Sequence, residues 1–160
     1  MRPSSEKLGK FPPIYQFIDL GQLPFTSYTQ SAIYIAPQNP SPWNYLRGVF
    51  SRTGTPLSSL LPFCLTFAPI VPLPGFDAVP DEAEIPVENI TSSHALDFLA
   101  EIYDNEAKSV AKQDNGGKEE KDKMEKSKRN AVKALELLAE RYDPIRAAYW
   151  DWRKREVLAM

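Results

Sequence analysis

At 160 residues with a formal net charge of -2, the chain has the length of one ordinary domain and no basic excess that would call for a nucleic-acid partner. One cysteine, Cys64, excludes an internal disulfide or a thiolate metal cluster, so a reducing compartment, the cytoplasm, is expected. Fifteen prolines against seven glycines make much of the chain connector, and no run approaches the roughly 20 apolar residues of a membrane-spanning helix.

Residues 1–26 carry Pro3, Pro12, Pro13 and Pro24 around one short apolar run, and an irregular segment is expected there. From Ser27 the spacing of Tyr28, Ala32, Ile33, Ile35 and Ala36 predicts a helix that Pro37 stops. After the turn Pro37-Gln38-Asn39-Pro40, Ser41 is a candidate cap and Pro42 fits the first turn of a second helix. Its stripe is Trp43, Leu46, Val49 and Phe50, and Gly54 stands where a left-handed stop belongs, so the pair forms an αα-hairpin. Thr55-Pro56 opens a further stripe of Leu57, Leu60, Leu61 and Cys64, within which Pro62 is expected to kink or shorten the helix.

Residues 68–91 combine prolines with acidic side chains and are expected to form an exposed loop. Ser92 or Ser93 then caps a helix with Leu96, Leu99, Ile102 and Tyr103 on one face. Between Lys112 and Lys128 six positive and five negative charges nearly cancel, which predicts a solvated linker. Ala131, Leu135, Leu138, Ala139 and Tyr142 form the next stripe. Asp143-Pro144 restarts the chain as a last helix with Ile145, Ala148, Tyr149 and Trp152 on its apolar side. Trp150 falls off that side and is a candidate contact with the previous hairpin or with a partner.

Catalytic chemistry is hard to find. His94 has no second histidine or cysteine beside it, Gly116-Gly117-Lys118 lacks the spacing of a phosphate loop, and Cys64 on an apolar stripe reads as a buried, inert thiol. The class is all-α, with helical hairpins in a repeat-like stack whose ends need covering.

The run Ala36-Pro37-Gln38-Asn39-Pro40-Ser41-Pro42-Trp43-Asn44-Tyr45-Leu46-Arg47-Gly48 resembles the repeat signature of protein prenyltransferase α subunits, a Pro-x-Asn turn leading into Trp-Asn-Tyr and an aliphatic residue. Leu96-Asp97-Phe98-Leu99-Ala100-Glu101-Ile102-Tyr103 is similar to a later helix of that family. Arg141-Tyr142-Asp143-Pro144-Ile145-Arg146 with Tyr149-Trp150 is similar to the C-terminal end of the α subunit shared by farnesyltransferase and type I geranylgeranyltransferase, more than to the Rab geranylgeranyltransferase α subunit. The resemblance implies an α-α superhelix of antiparallel hairpins of the TPR-like kind, over residues 27–160 and truncated at its N-terminus, since one clear Trp-Asn-Tyr signature is present.

It further implies a heterodimer with a prenyltransferase β subunit that holds zinc, and magnesium for farnesylation, and that joins a prenyl diphosphate to the cysteine of CaaX proteins. This chain would then supply no catalytic residue and bind no cofactor. Trp43, Asn44, Tyr45 and Leu46 would serve as signature and packing residues, with Asn44 tying a neighbouring backbone, and Arg146, Tyr149 and Trp150 as candidate interface. A non-catalytic helical adaptor is the competing expectation.

Overall fold

The computed structural model describes residues 24–72, 89–112 and 117–160, and every regular element among them is helical. These are α1 (Pro24–Ile35), α2 (Pro40–Thr53), α3 (Leu61–Phe67), α4 (Ser93–Ala111), α5 (Lys118–Leu137) and α6 (Ala147–Leu158). Consecutive helices pack on one another, α1 on α2, α3 on α4, α5 on α6 and, most extensively of all, α4 on α5, so a stack of antiparallel helices is the observed all-α architecture. Residues 1–23 of the segment expected to be irregular lie outside the described residues, and its last three are already part of α1.

The first hairpin turns where the sequence places the turn, but the cap is Asn39 rather than Ser41. Asn39 Oδ1 accepts the Ser41 amide at 3.1 Å and Pro40, not Pro42, opens the helix. Both prolines lie in the first turn, where a missing N–H costs no helical bond, and Asn39, just before Pro40, is placed to cap. Gly54 ends α2 with φ +68°, the left-handed conformation expected of it. Pro62 produces no kink: a 3-10 turn, Leu57–Leu60, precedes α3, so the proline falls in the first turn of a new helix.

The core is built from Ile33, Trp43, Leu46, Phe50, Leu60, Phe63, Phe67, Leu96, Phe98, Leu99 and Leu135 with their neighbours. Trp43 is its aromatic centre, 5.8 Å from the Phe63 and Phe67 rings and 5.3 Å from Phe98, while Tyr34 adds an edge-on contact to Phe63. Only Ile33 of the stripe expected on α1 is fully buried, and Tyr28 and Ile35 face outward.

Of two expected loops, one is revised by the fold. The described ends of segment 68–91 are partly inside: Ala68, Ile70 and Ile90 are buried while Asn89 and Thr91 are exposed, and Lys133 Nζ donates to the Ile70 carbonyl at 3.0 Å. Residues 73–88 lie outside the described residues. The charged stretch 112–128 is a linker only in part, because residues 118–128 are the first turns of α5. Lysine and glutamate are good helix formers, Glu119 and Glu120 lie in the first turn where negative charge suits the helix dipole, and Gly117 marks the start. Glu106 of α4 secures that end, accepting Ser127 Oγ at 3.0 Å and pairing with Lys123 at 3.4 Å.

Candidate functional site

The signature segment is divided between the inside and the outside of the hairpin. Trp43 and Leu46, three residues apart on α2, are buried, whereas Asn44 and Tyr45 between them are exposed. Packing is therefore a role for Trp43 and Leu46 within this chain. Asn44 is exposed on this chain, and Tyr45 is only half covered.

The turn before the signature acts as a hydrogen-bond hub. The Pro37 carbonyl accepts Trp43 Nε1 at 2.9 Å and Ser92 Oγ at 2.7 Å, so both lone pairs of one oxygen are used. Ser92 also caps α4 by accepting the Ala95 amide, and Gln38 Oε1 accepts from the Ser93 amide and hydroxyl. His94 Nε2 lies 3.3 Å from the Gln38 carbonyl, which places the lone histidine in this junction. A Pro-Gln-Asn turn is thus locked to the start of a helix more than fifty residues later in the chain.

At the other end, α5 closes in a π-turn, Leu138–Tyr142, with the Asp143 amide donating to the Leu138 carbonyl at 2.8 Å. A 3-10 turn, Pro144–Arg146, leads into α6. Asp143 does not cap that turn with its side chain. Its Oδ2 instead accepts Arg146 Nε at 2.6 Å and Trp150 Nε1 at 3.2 Å, and the Arg146 guanidinium stands 4.8 Å over the Trp150 ring.

This arrangement reverses the expected faces of α6. Trp150 is 1% exposed, while Ile145 is 96%, Trp152 50% and Tyr149 44% exposed, and Ala148 is exposed with them. Trp150 is buried within the chain, with Asp143, Arg146 and Tyr149 around it, and is no free surface. The physical reason is that α6 carries two apolar-aromatic stripes, 145/148/149/152 and 150/157, and periodicity cannot tell which one turns inward. The carboxylate of Asp143 decides it by pulling the indole N–H to itself.

The outward stripe, with Tyr149 and Trp152 rings 5.9 Å apart and Arg146 at its edge, is the candidate site. Arg146 and Tyr149 lie on it, and Ile145 and Trp152 join them; the latter two were legible only as core. Sequence periodicity had found the stripe but assigned it to the wrong side.

Cys64 is fully buried, and its desolvation drives the thiol's pKa well above the ordinary range despite the opposing field of Arg47, so the thiolate nucleophile is suppressed. Burial, and secondarily Glu106, likewise raise the Tyr103 phenol. Among the described residues no three His, Cys, Asp or Glu side chains converge to hold a metal ion, and no helix is long and apolar enough to cross a membrane.

No family model matches the chain. It is 28% identical over 127 residues to the protein farnesyltransferase/geranylgeranyltransferase type-1 subunit alpha of Candida albicans, a match covering 79% of this chain and 30% of that protein. Among solved structures it is similar to the Candida albicans protein geranylgeranyltransferase-I complexed with GGPP, with a TM-score of 0.58 and 26% identity over 83% of this chain and 33% of that one. The chain spans about a third of the length of these relatives. Sequence and fold therefore agree with the resemblance read from the signature: the chain is similar to the α subunit of farnesyltransferase/geranylgeranyltransferase type-1, a helical repeat protein.

Proposed function

We propose that this chain is the C-terminal hairpin region of a prenyltransferase α subunit and acts as a structural, partner-binding part of a heterodimer with a β subunit. In this reading the heterodimer works in the cytoplasm and transfers a farnesyl or geranylgeranyl group from its diphosphate to the cysteine of a C-terminal CaaX motif. Zinc, and magnesium where farnesyl is transferred, belong to the β subunit, as does the choice between the two isoprenoids. This chain contributes no reacting group.

The observation that carries the reading is the match to a type-1 α subunit through 79% of the chain, with the same hairpin fold along it. The outward stripe of α6 agrees with it, because an aromatic pair flanked by Ile145 and an arginine has the composition of a protein–protein contact. Ile145, Tyr149, Trp152 and Arg146 are the residues assigned to the β partner.

The test is co-expression with a farnesyltransferase β subunit followed by size-exclusion chromatography. The expected result is co-elution as a one-to-one complex that Ile145→Asp with Trp152→Ser disrupts while the variant chain remains folded. A soluble, folded chain that ignores the β subunit would overturn the reading in favour of an adaptor.

A further inference from the structure

Three helices, α2, α4 and α6, meet in charge at one carboxylate. Asp97 of α4 accepts Arg153 Nη1 of α6 at 2.8 Å through Oδ1 and Arg47 Nη2 of α2 at 3.0 Å through Oδ2. The other terminal nitrogen of Arg47 pairs with Glu101, one turn further along α4, and its guanidinium lies 4.4 Å over the Phe98 ring. Arg47 is thus held by two carboxylates and an aromatic face, which fixes the plane of its fork.

The seating of α6 depends on this junction more than its length suggests. Only Trp150 and Val157 of α6 are buried, and its larger apolar stripe faces away from the chain. The turns beyond Trp152 are held by Val157, by Arg153 on Asp97 and by Lys154, which lies 3.4 Å from Glu136 of α5. Arg153 is 16% and Asp97 29% exposed, so solvent screens this pair less than it screens an open surface pair.

We infer that Asp97 is a positioning residue that couples α2 to α6, with Arg47 fixing the carboxylate so that Oδ1 stays aimed at Arg153. Without Arg47 the Asp97 side chain gains rotational freedom and hydration at Oδ2, and Arg153 loses an oriented acceptor. A change on the signature helix is then felt at the last helix, although Arg47 and Arg153 are both cations and share no bond. The inference concerns this chain alone and bears on the partner reading only through how α6 is presented.

The test is native-state amide exchange of the full chain read by mass spectrometry, with Arg47→Met, Arg153→Met, their combination and the milder Arg47→Lys and Arg153→Lys. Arg47→Met is expected to speed exchange in α6 by about twofold or more while α5 is unchanged. In the Arg153→Met background the same substitution adds nothing, because its route to α6 is already cut. Each lysine variant keeps the charge but not the fork and gives a smaller effect. Raising salt to about 1 M, where the Debye length falls to about 3 Å, moves the wild-type chain toward the Arg153→Met pattern.

Exchange in α6 that ignores Arg47→Met would overturn the coupling, as would equal increments in both backgrounds or a rise spread evenly over α2 to α5. None of these readouts requires a β subunit, so failure here is distinguishable from failure of the proposed heterodimer.

Discussion

Trp43 and Trp150 are equally buried, yet they anchor their hairpins by different chemistry. Trp43 is surrounded by Phe63, Phe67 and Phe98 and gives its indole N–H to a backbone carbonyl. Trp150 gives its N–H to a carboxylate, lies under a guanidinium and touches Tyr149, a residue that is itself half exposed. The first hairpin is thus fastened from inside by shape and dispersion, and the last is fastened by an ionised group at the edge of solvent. Burial alone therefore does not measure anchorage: what surrounds a buried ring decides whether salt or a single polar substitution can loosen it.

The largest expected effect comes from emptying the aromatic centre. Trp43→Ala should cost roughly 3–5 kcal/mol, because rings from two further helices, α3 and α4, pack against the indole and cannot both close on the cavity. A melting temperature that does not move would remove the contrast altogether. Next is Asp143→Ala, which leaves the buried Trp150 N–H without its acceptor and frees Arg146, at about 1–3 kcal/mol by chemical denaturation. If Asp143→Ala is silent, Trp150 is held by packing after all and the two anchors are alike. The smallest effect on folding belongs to Ile145→Asp, within about 0.5 kcal/mol, since this side chain touches little of its own chain. A clear loss of stability there would mean that the outer stripe of α6 is covered.

The helical class, the first hairpin, the Gly54 stop, the Ser92 cap and the buried face of α4 could all be read from residue spacing. In each case the apolar period has one face only. Where a segment carries two candidate faces, as α6 does, or where charged residues extend a helix, as Lys118–Lys128 do, periodicity offers no decision. Those outcomes rest on tertiary partners such as Asp143 for Trp150 and Glu106 for Ser127, which no local window contains. A cue for the second case was present: Met124, Ser127 and Ala131 keep the inward helical spacing through the charged stretch, with no proline between Gly117 and Asp143. The candidate interface was half legible, since Tyr149 and Arg146 were chosen for it while its most exposed member, Ile145, was read as core.

The meeting of Phe67 with Thr91 has a consequence for how α4 begins. The Thr91 amide donates to the Phe67 carbonyl at 2.8 Å and its hydroxyl approaches the same oxygen at 3.3 Å, so two points 24 residues apart are stitched together at the base of α4. Buried Ala68, Ile70 and Ile90 reinforce that closure. The junction is thus a latch: the entry to α4 is pinned to the last residue of α3, and Thr91→Val, which removes the hydroxyl and keeps the amide, is expected to loosen it without opening it.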